Sequence, residues 1–129
     1  MSEVRYTKEH CWVRSSEGEN LLVGLTPQAV EAMGEVVMVE LPAPGEEVKA
    51  NQVIGMVESD WVTTELYAPL DAQVVEVNEL LMDDPSMLNE DPMGAGWLMI
   101  LKAKNPNDIN KLLREPAYRK FLKKELLMD

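Results

Sequence analysis

Alternating apolar and polar positions predict a chain built mainly from short strands. The segment from Cys11 to Leu25 contains an alternating run (CWVRS), a turn-rich stretch (SEGEN) and a second apolar run (LLVGL), the pattern of a β-hairpin. The segment from Glu35 to Leu41 (EVVMVEL) is rich in β-branched residues and is followed by PAPG, where the prolines and the glycine end the strand. Further strands are predicted at QVVEV and WLMILK.

A second hairpin is predicted in the middle of the chain. The runs Val53 to Ser59 (VIGMVES) and Val62 to Tyr67 (VTTELY) are separated by only two residues, which is the spacing of a tight turn. Asp60 and Trp61 therefore lie at its tip. Trp61 has two interpretations here, because an aromatic ring at a tip either folds back onto its own sheet or serves as an anchor in a partner's pocket.

Helices are predicted at two places in the sequence. Thr26 can cap a short helix in which Pro27 occupies the first turn and Gly34 follows the end. Near the C-terminus, helices are predicted from about residue 107, with Asp108 as a cap, and the segment 115–128 has apolar spacing of helical period. Residues 83–96 (DDPSMLNEDPMGAG) are predicted to form a loop.

Together these elements predict one domain spanning 1–129, a small β barrel or sandwich with peripheral and C-terminal helices. The formal charge of −11 argues against nucleic acid as a partner, since a phosphate backbone would be repelled. The single cysteine, Cys11, excludes an internal disulfide and indicates a cytoplasmic protein. The first residues, MSEVRYTKEH, have no apolar targeting core, and no stretch is long enough to span a membrane.

Several motifs, in order, resemble the H-protein family of the glycine cleavage system. The stretches HCWVR, VGLTPQA, MGEVVMVELPAPGEEV, VESDWVTTELYAP, VVEVNELL and NEDPMGAGWLMILK are similar to the family's HEWV, GIT, LGD/EVVFVELP, VESVKA, YAP, EVNxxL and PYxxGWL. The resemblance extends from about Tyr6 to Tyr118, and several motifs in register are far more specific than one short pattern.

The resemblance implies a fold and a chemistry. It implies a barrel-sandwich hybrid of the lipoyl-domain type, with a lipoyl-lysine arm at a hairpin tip that carries an aminomethyl group and electrons among the partner enzymes of glycine cleavage. Lipoate is attached as an amide, which requires the primary amine of a lysine. VESDWVTTELYAP is similar to the VESVKA region without a gap, which sets Asp60 on the family's valine and Trp61 on its lysine. We therefore expect no lipoyl cofactor.

Further positions of the resemblance concern the same site. Cys11 replaces the glutamate of HEWV, and Ala32 stands where members often carry a histidine; with Glu65, these positions resemble those of the cleft in which the loaded arm rests. Ala72 replaces a glycine in the turn after YAP, where we expect a strained positive φ. Glu58 and Ser59 of the lipoylation hairpin remain, and Glu58 is either the acidic residue that lipoate-attaching enzymes read or an ordinary surface carboxylate.

Other chemistry finds little support. His10 and Cys11 are adjacent and cannot by themselves supply the ligands of a zinc site, so no metal is expected. Trp12 and Trp97 are interpreted as packing residues. No nucleophile, base and orienting group can be grouped from the sequence, which argues against an enzyme.

The leading hypothesis is a non-lipoylated, H-like binding module that docks on lipoate-attaching enzymes or on proteins of the glycine cleavage system, in a regulatory or assembly role. The alternative is a working H protein in which Trp61 is an introduced change or a different lysine is modified.

Overall fold

The computed structural model describes residues 3–128, with side chains described as far as residue 125. Its strands are β1 (Arg5–Tyr6), β2 (Cys11–Ser15), β3 (Asn20–Leu25), β4 (Val36–Glu40), β5 (Glu47–Val48), β6 (Val53–Ser59), β7 (Thr63–Tyr67), β8 (Ala72–Val77) and β9 (Met99–Ala103). Its helices are α1 (Pro27–Met33), α2 (Leu80–Asp83), α3 (Met87–Glu90) and α4 (Glu115–Met128), with a 3-10 helix at Pro106–Lys111. No helix in this part of the chain is long and apolar enough to cross a membrane.

The strands form two antiparallel sheets, so the mainly β fold class is confirmed. One sheet has six strands in the order β1-β2-β3-β9-β8-β5, and the other has three in the order β4-β6-β7. Strand β9 pairs with β3 on one side, with Val23 opposite Met99, and with β8 on the other. The sheet therefore joins the N-terminal hairpin to strands far along the sequence.

The core consists of one large apolar cluster and a smaller aromatic one. Both sheets contribute to the first, including Val23, Val57 and Leu101. The second cluster is centred on Tyr6, Trp12 and Tyr118. Trp12 is fully buried, as predicted, and Trp97 packs half-buried against the same cluster.

Glycine at position 24 allows this packing. The indole of Trp12 lies so close to Gly24 that a Cβ there would come within 2.5 Å of the ring. The indole N–H of Trp12 donates to the carbonyl of Pro92 at 3.0 Å, which satisfies its polar atom inside the core.

Helix α1 is formed as the sequence predicts. The hydroxyl of Thr26 accepts from the backbone N–H of Ala29, Pro27 occupies the first turn, and Gly34 follows the helix. The side chain of Asn89 fastens this end of α1 to α3, accepting from Val36 N–H at 2.8 Å and donating to the carbonyl of Gly34 at 2.9 Å. The exit from α1 is thus held in one geometry.

Four local predictions were wrong or incomplete. The predicted loop at 83–96 contains α3 and the last residue of α2, and helix α2 and the short strands β1 and β5 were not predicted. Asn105, not Asp108, caps the 3-10 helix. Ala72 lies buried in β8 opposite Val48 and Ala103, and among described non-glycine residues only His10 and Asn51 have positive φ. The expected strain at Ala72 is therefore absent, because the residue belongs to a strand.

Candidate functional site: a hairpin tip beside an acidic groove

The turn between β6 and β7 is held rigid by its own hydrogen bonds. Ser59 N–H donates to the carbonyl of Val62 at 3.0 Å, and the Ser59 hydroxyl donates to the same carbonyl at 2.7 Å. Val62 N–H donates back to the Ser59 hydroxyl at 3.3 Å. Asp60 N–H donates to the carbonyl of Glu35 at 3.0 Å, which ties the tip to the chain leaving α1.

Trp61 projects from this turn and is 74% exposed. Its indole lies across Gly34, where an added Cβ would be 2.8 Å from the ring atom Cδ2. Gly34 has φ 80° and ψ −159°, a conformation that is open almost only to glycine. Trp61 thus rests with one face on the backbone and presents the other to solvent. The first face packs on the protein itself, and the second is free to contact a partner.

The tip does not fit the covalent attachment of lipoate. Residues 58–63 (ESDWVT) include no lysine and therefore offer no side-chain amine. Lys49 and Lys102 line a different groove, formed with residues of β5 and β8. Neither lysine belongs to the β6–β7 turn.

A groove of about 800 Å³ lies beside the tip, between α1 and α4. Its lining includes Ala32 of α1 and Val62 of the hairpin. It also includes the carboxylates Glu9, Glu31 and Glu125. Of the residues expected from the resemblance to line a cleft, only Ala32 does so.

The other two expected cleft residues lie elsewhere. Cys11 is buried, with Sγ 3.9 Å from the carbonyl oxygen of Tyr67. Glu65 is exposed on β7 and accepts from the Tyr67 hydroxyl at 3.2 Å. Cys11 lies on β2 with its side chain in the main core cluster.

Burial also determines the chemistry of Cys11. Removal from water raises the pKa of the thiol to about 12. The hydrogen bond with Thr7 lowers the pKa, but by less than burial raises it. The thiol is therefore neutral at physiological pH and is not a nucleophile. No group of His, Cys, Asp and Glu side chains suited to a metal ion occurs within residues 3–128.

A buried tyrosine connects the walls of the groove, and sequence reasoning missed it. The Tyr118 hydroxyl lies 2.8 Å from Nδ1 of His10 and 2.9 Å from the Thr26 hydroxyl. Nε2 of His10 lies 3.1 Å from a carboxylate oxygen of Glu125, also on α4. Burial raises the pKa of Tyr118, so its hydroxyl keeps its proton. No spacing rule links residues so far apart in the sequence.

Comparisons with a family model and with known proteins all match glycine cleavage H proteins. The family model described as glycine cleavage H-protein matches residues 4–125. A glycine cleavage system H protein of Geobacillus kaustophilus is 46% identical over 120 residues, covering 93% of this chain and 94% of that protein. One from Xanthobacter autotrophicus is 46% identical over 122 residues, covering 95% of this chain and 97% of that protein.

A solved structure extends the similarity to the fold. The crystal structure of a glycine cleavage system H protein from Mycobacterium marinum matches with a TM-score of 0.81 and 37% identity, covering 90% of this chain and 93% of that one. This match confirms the expected barrel-sandwich architecture of lipoyl domains.

Proposed function

We propose that this chain, which belongs to the glycine cleavage H-protein family, is a member that carries no lipoyl group and works by docking on other proteins. Members of the family are lipoate-carrying proteins, not enzymes, and they interact with other components of the glycine cleavage system.

Trp61 is the observation that carries the proposal. It stands at an exposed hairpin tip, and the motif resemblance sets it on the lysine that carries lipoate in the family. An indole has no amine with which to form the amide. The chain therefore keeps the scaffold of a carrier and lacks the group that holds the cargo.

The presentation of Trp61 favours docking. Aromatic side chains are enriched among the residues that dominate binding energy at interfaces, and a side chain that is already ordered loses less entropy on binding. The turn hydrogen bonds and the contact with Gly34 supply that order. We infer that the partners are lipoate-attaching enzymes or proteins of the glycine cleavage system, with Glu58 exposed beside the tip for them to contact.

The first experiment measures modification. The full chain is produced together with a lipoate-attaching enzyme and lipoate, and its intact mass is compared with that of the Geobacillus kaustophilus H protein treated in the same way. We expect the mass of a lipoyl group on the relative and none on this chain. A lipoyl group mapped to any of its lysines would overturn the proposal and favour a working carrier.

The second experiment measures docking. Purified glycine-cleavage proteins and a lipoate-attaching enzyme are tested for binding to the unmodified chain and to Trp61→Ala. We expect at least one to bind and the variant to bind it about tenfold more weakly or worse. Failure of every one of these proteins to bind the unmodified chain would refute the docking role.

A further inference from the structure

We propose that the groove between α1 and α4 binds a segment of a partner protein in which apolar side chains are flanked by Lys or Arg; this inference rests on the docking function proposed above. The groove is large enough, at about 800 Å³, for several side chains of a peptide segment. Its apolar lining comes from Leu25, Ala29, Ala32, Met33, Val62 and Leu122.

Trp61 extends this apolar surface at the end of α1. Met33 lines the groove, the next residue is Gly34, and the Trp61 ring lies across Gly34. Val62, which follows Trp61, is exposed and lines the groove itself. Trp61 is not itself part of the lining, but Val62 joins it to the groove, so the indole lies next to the groove as a second apolar contact for a bound segment.

The charges around this surface select the occupant. Glu9, Glu31 and Glu125 line the groove together with His10, whose Nε2 lies 3.1 Å from Glu125, and the lining includes no Lys or Arg. Glu35, which follows Gly34, and Asp60, which precedes Trp61, are also exposed, and the backbone N–H of Asp60 donates to the carbonyl of Glu35. Complementary charge steers association and fixes the register of a bound segment, so the fitting partner carries basic residues around its apolar ones.

The same charges disfavour a second copy of the chain. Two such faces would bring like carboxylates together, and the whole chain has a formal charge of −11. A basic partner gains attraction where a second copy meets repulsion.

The groove exists before the partner arrives. Tyr118 joins α4 to Thr26 at the cap of α1 and to His10, and His10 pairs with Glu125. These contacts hold α4 against the rest of the domain, so binding does not have to order that wall.

The test uses three synthetic helical peptides and the full chain. The first has a leucine stripe flanked by arginines, the second has glutamate for each arginine, and the third has serine for each leucine. Binding is followed by NMR chemical shifts at near-physiological salt. We expect the first peptide to shift signals confined to the groove and Trp61, and each of the others to bind about tenfold more weakly or worse.

Variants locate the site. Ala32→Arg places bulk and a positive charge on an exposed position of the groove and is expected to abolish binding. Glu31→Gln is expected to weaken binding about two- to fivefold, the range of one exposed ion pair. Glu47→Gln, an exposed carboxylate in the other groove, is the matched control and should bind as the unmodified chain does.

Every other outcome overturns the inference. Equal binding of the arginine and glutamate peptides would remove the charge argument, and binding that survives Ala32→Arg would place the site elsewhere. Concentration-dependent dimerisation of the chain that Ala32→Arg prevents would assign the groove to a second copy. Because these measurements need neither lipoate nor a lipoate-attaching enzyme, failure of the groove to bind the arginine peptide is distinguishable from failure of the proposed function, which appears as a lipoyl group in the mass assay or as loss of all binding to the glycine-cleavage proteins.

Discussion

Gly34→Ala is the most direct perturbation of the Trp61 tip. Gly34 has φ 80° and ψ −159°, and an added Cβ would lie 2.8 Å from the Trp61 ring. The substitution therefore has two separable effects, strain in the backbone and displacement of the indole.

The backbone effect is the larger one. A non-glycine residue in this region costs about 1–3 kcal/mol. The ring is 74% exposed, so it can rotate away at small cost. We expect Gly34→Ala to lower the free energy of unfolding by about 1–3 kcal/mol, equivalent to a fall of about 3–10 °C in melting temperature for a domain of this size.

Denaturant unfolding of four proteins separates the two effects: the unmodified chain, Gly34→Ala, Trp61→Ala and the double variant. We expect Gly34→Ala to be nearly as destabilising in the Trp61→Ala background, with a coupling below about 0.5 kcal/mol. In Gly34→Ala, a collisional quencher should also reduce the fluorescence of Trp61 more strongly than in the unmodified chain. Gly18→Ala is the control, because Gly18 also has positive φ but nothing within 4 Å of an added Cβ. Unchanged stability together with unchanged quenching in Gly34→Ala would refute the account of the tip.

Three further outcomes are expected. Trp61→Lys should acquire a lipoyl group under conditions that leave the parent chain unmodified, because the turn that presents the new amine is already rigid. Intact mass measures the modification, and an unmodified variant would show that more than the amine is missing. Tyr118→Phe should lower the free energy of unfolding in urea by about 1–3 kcal/mol, since Thr26 and His10 both lose a buried partner. Tyr67→Phe is the control: the Tyr67 hydroxyl donates to exposed Glu65, so its removal should change that free energy by less than about 0.5 kcal/mol. The Cys11 thiol has its pKa raised by burial from an ordinary 9.0 to about 12, so above pH 9 the unfolded chain loses a proton that the folded one keeps. Stability should then fall by about 1.4 kcal/mol per pH unit from this group, and Cys11→Ala should flatten that slope; an equal slope in the variant would contradict the assignment.

Sequence patterns predicted the elements whose determinants are local. The β6–β7 hairpin follows from two apolar runs separated by Asp60 and Trp61, and α1 follows from Thr26, Pro27 and Gly34. Strand β5 and helix α3 were missed because neither has a sustained period: β5 has two residues and α3 has four. Such short elements depend on contacts from other parts of the chain.

The candidate site was predicted only in part, for the same reason. The exposed tip with Trp61 is a local feature and was found. The groove depends on α4 lying against α1 through Tyr118, a contact between residues widely separated in sequence. The side-chain direction of Cys11 likewise depends on which face of β2 meets the core.

The central position of β9 has a consequence for biosynthesis. Because β9 lies between β3 and β8 and pairs with both, the larger sheet cannot be completed until Met99–Ala103 has left the ribosome. Until then β3 remains an unpaired edge able to add a foreign strand, and closure must bring together segments separated by most of the chain, which slows folding. A nascent chain of this protein therefore passes through a long interval in which its hairpins are complete and its sheet is open to aggregation, and this is the interval in which a holding chaperone would have most effect.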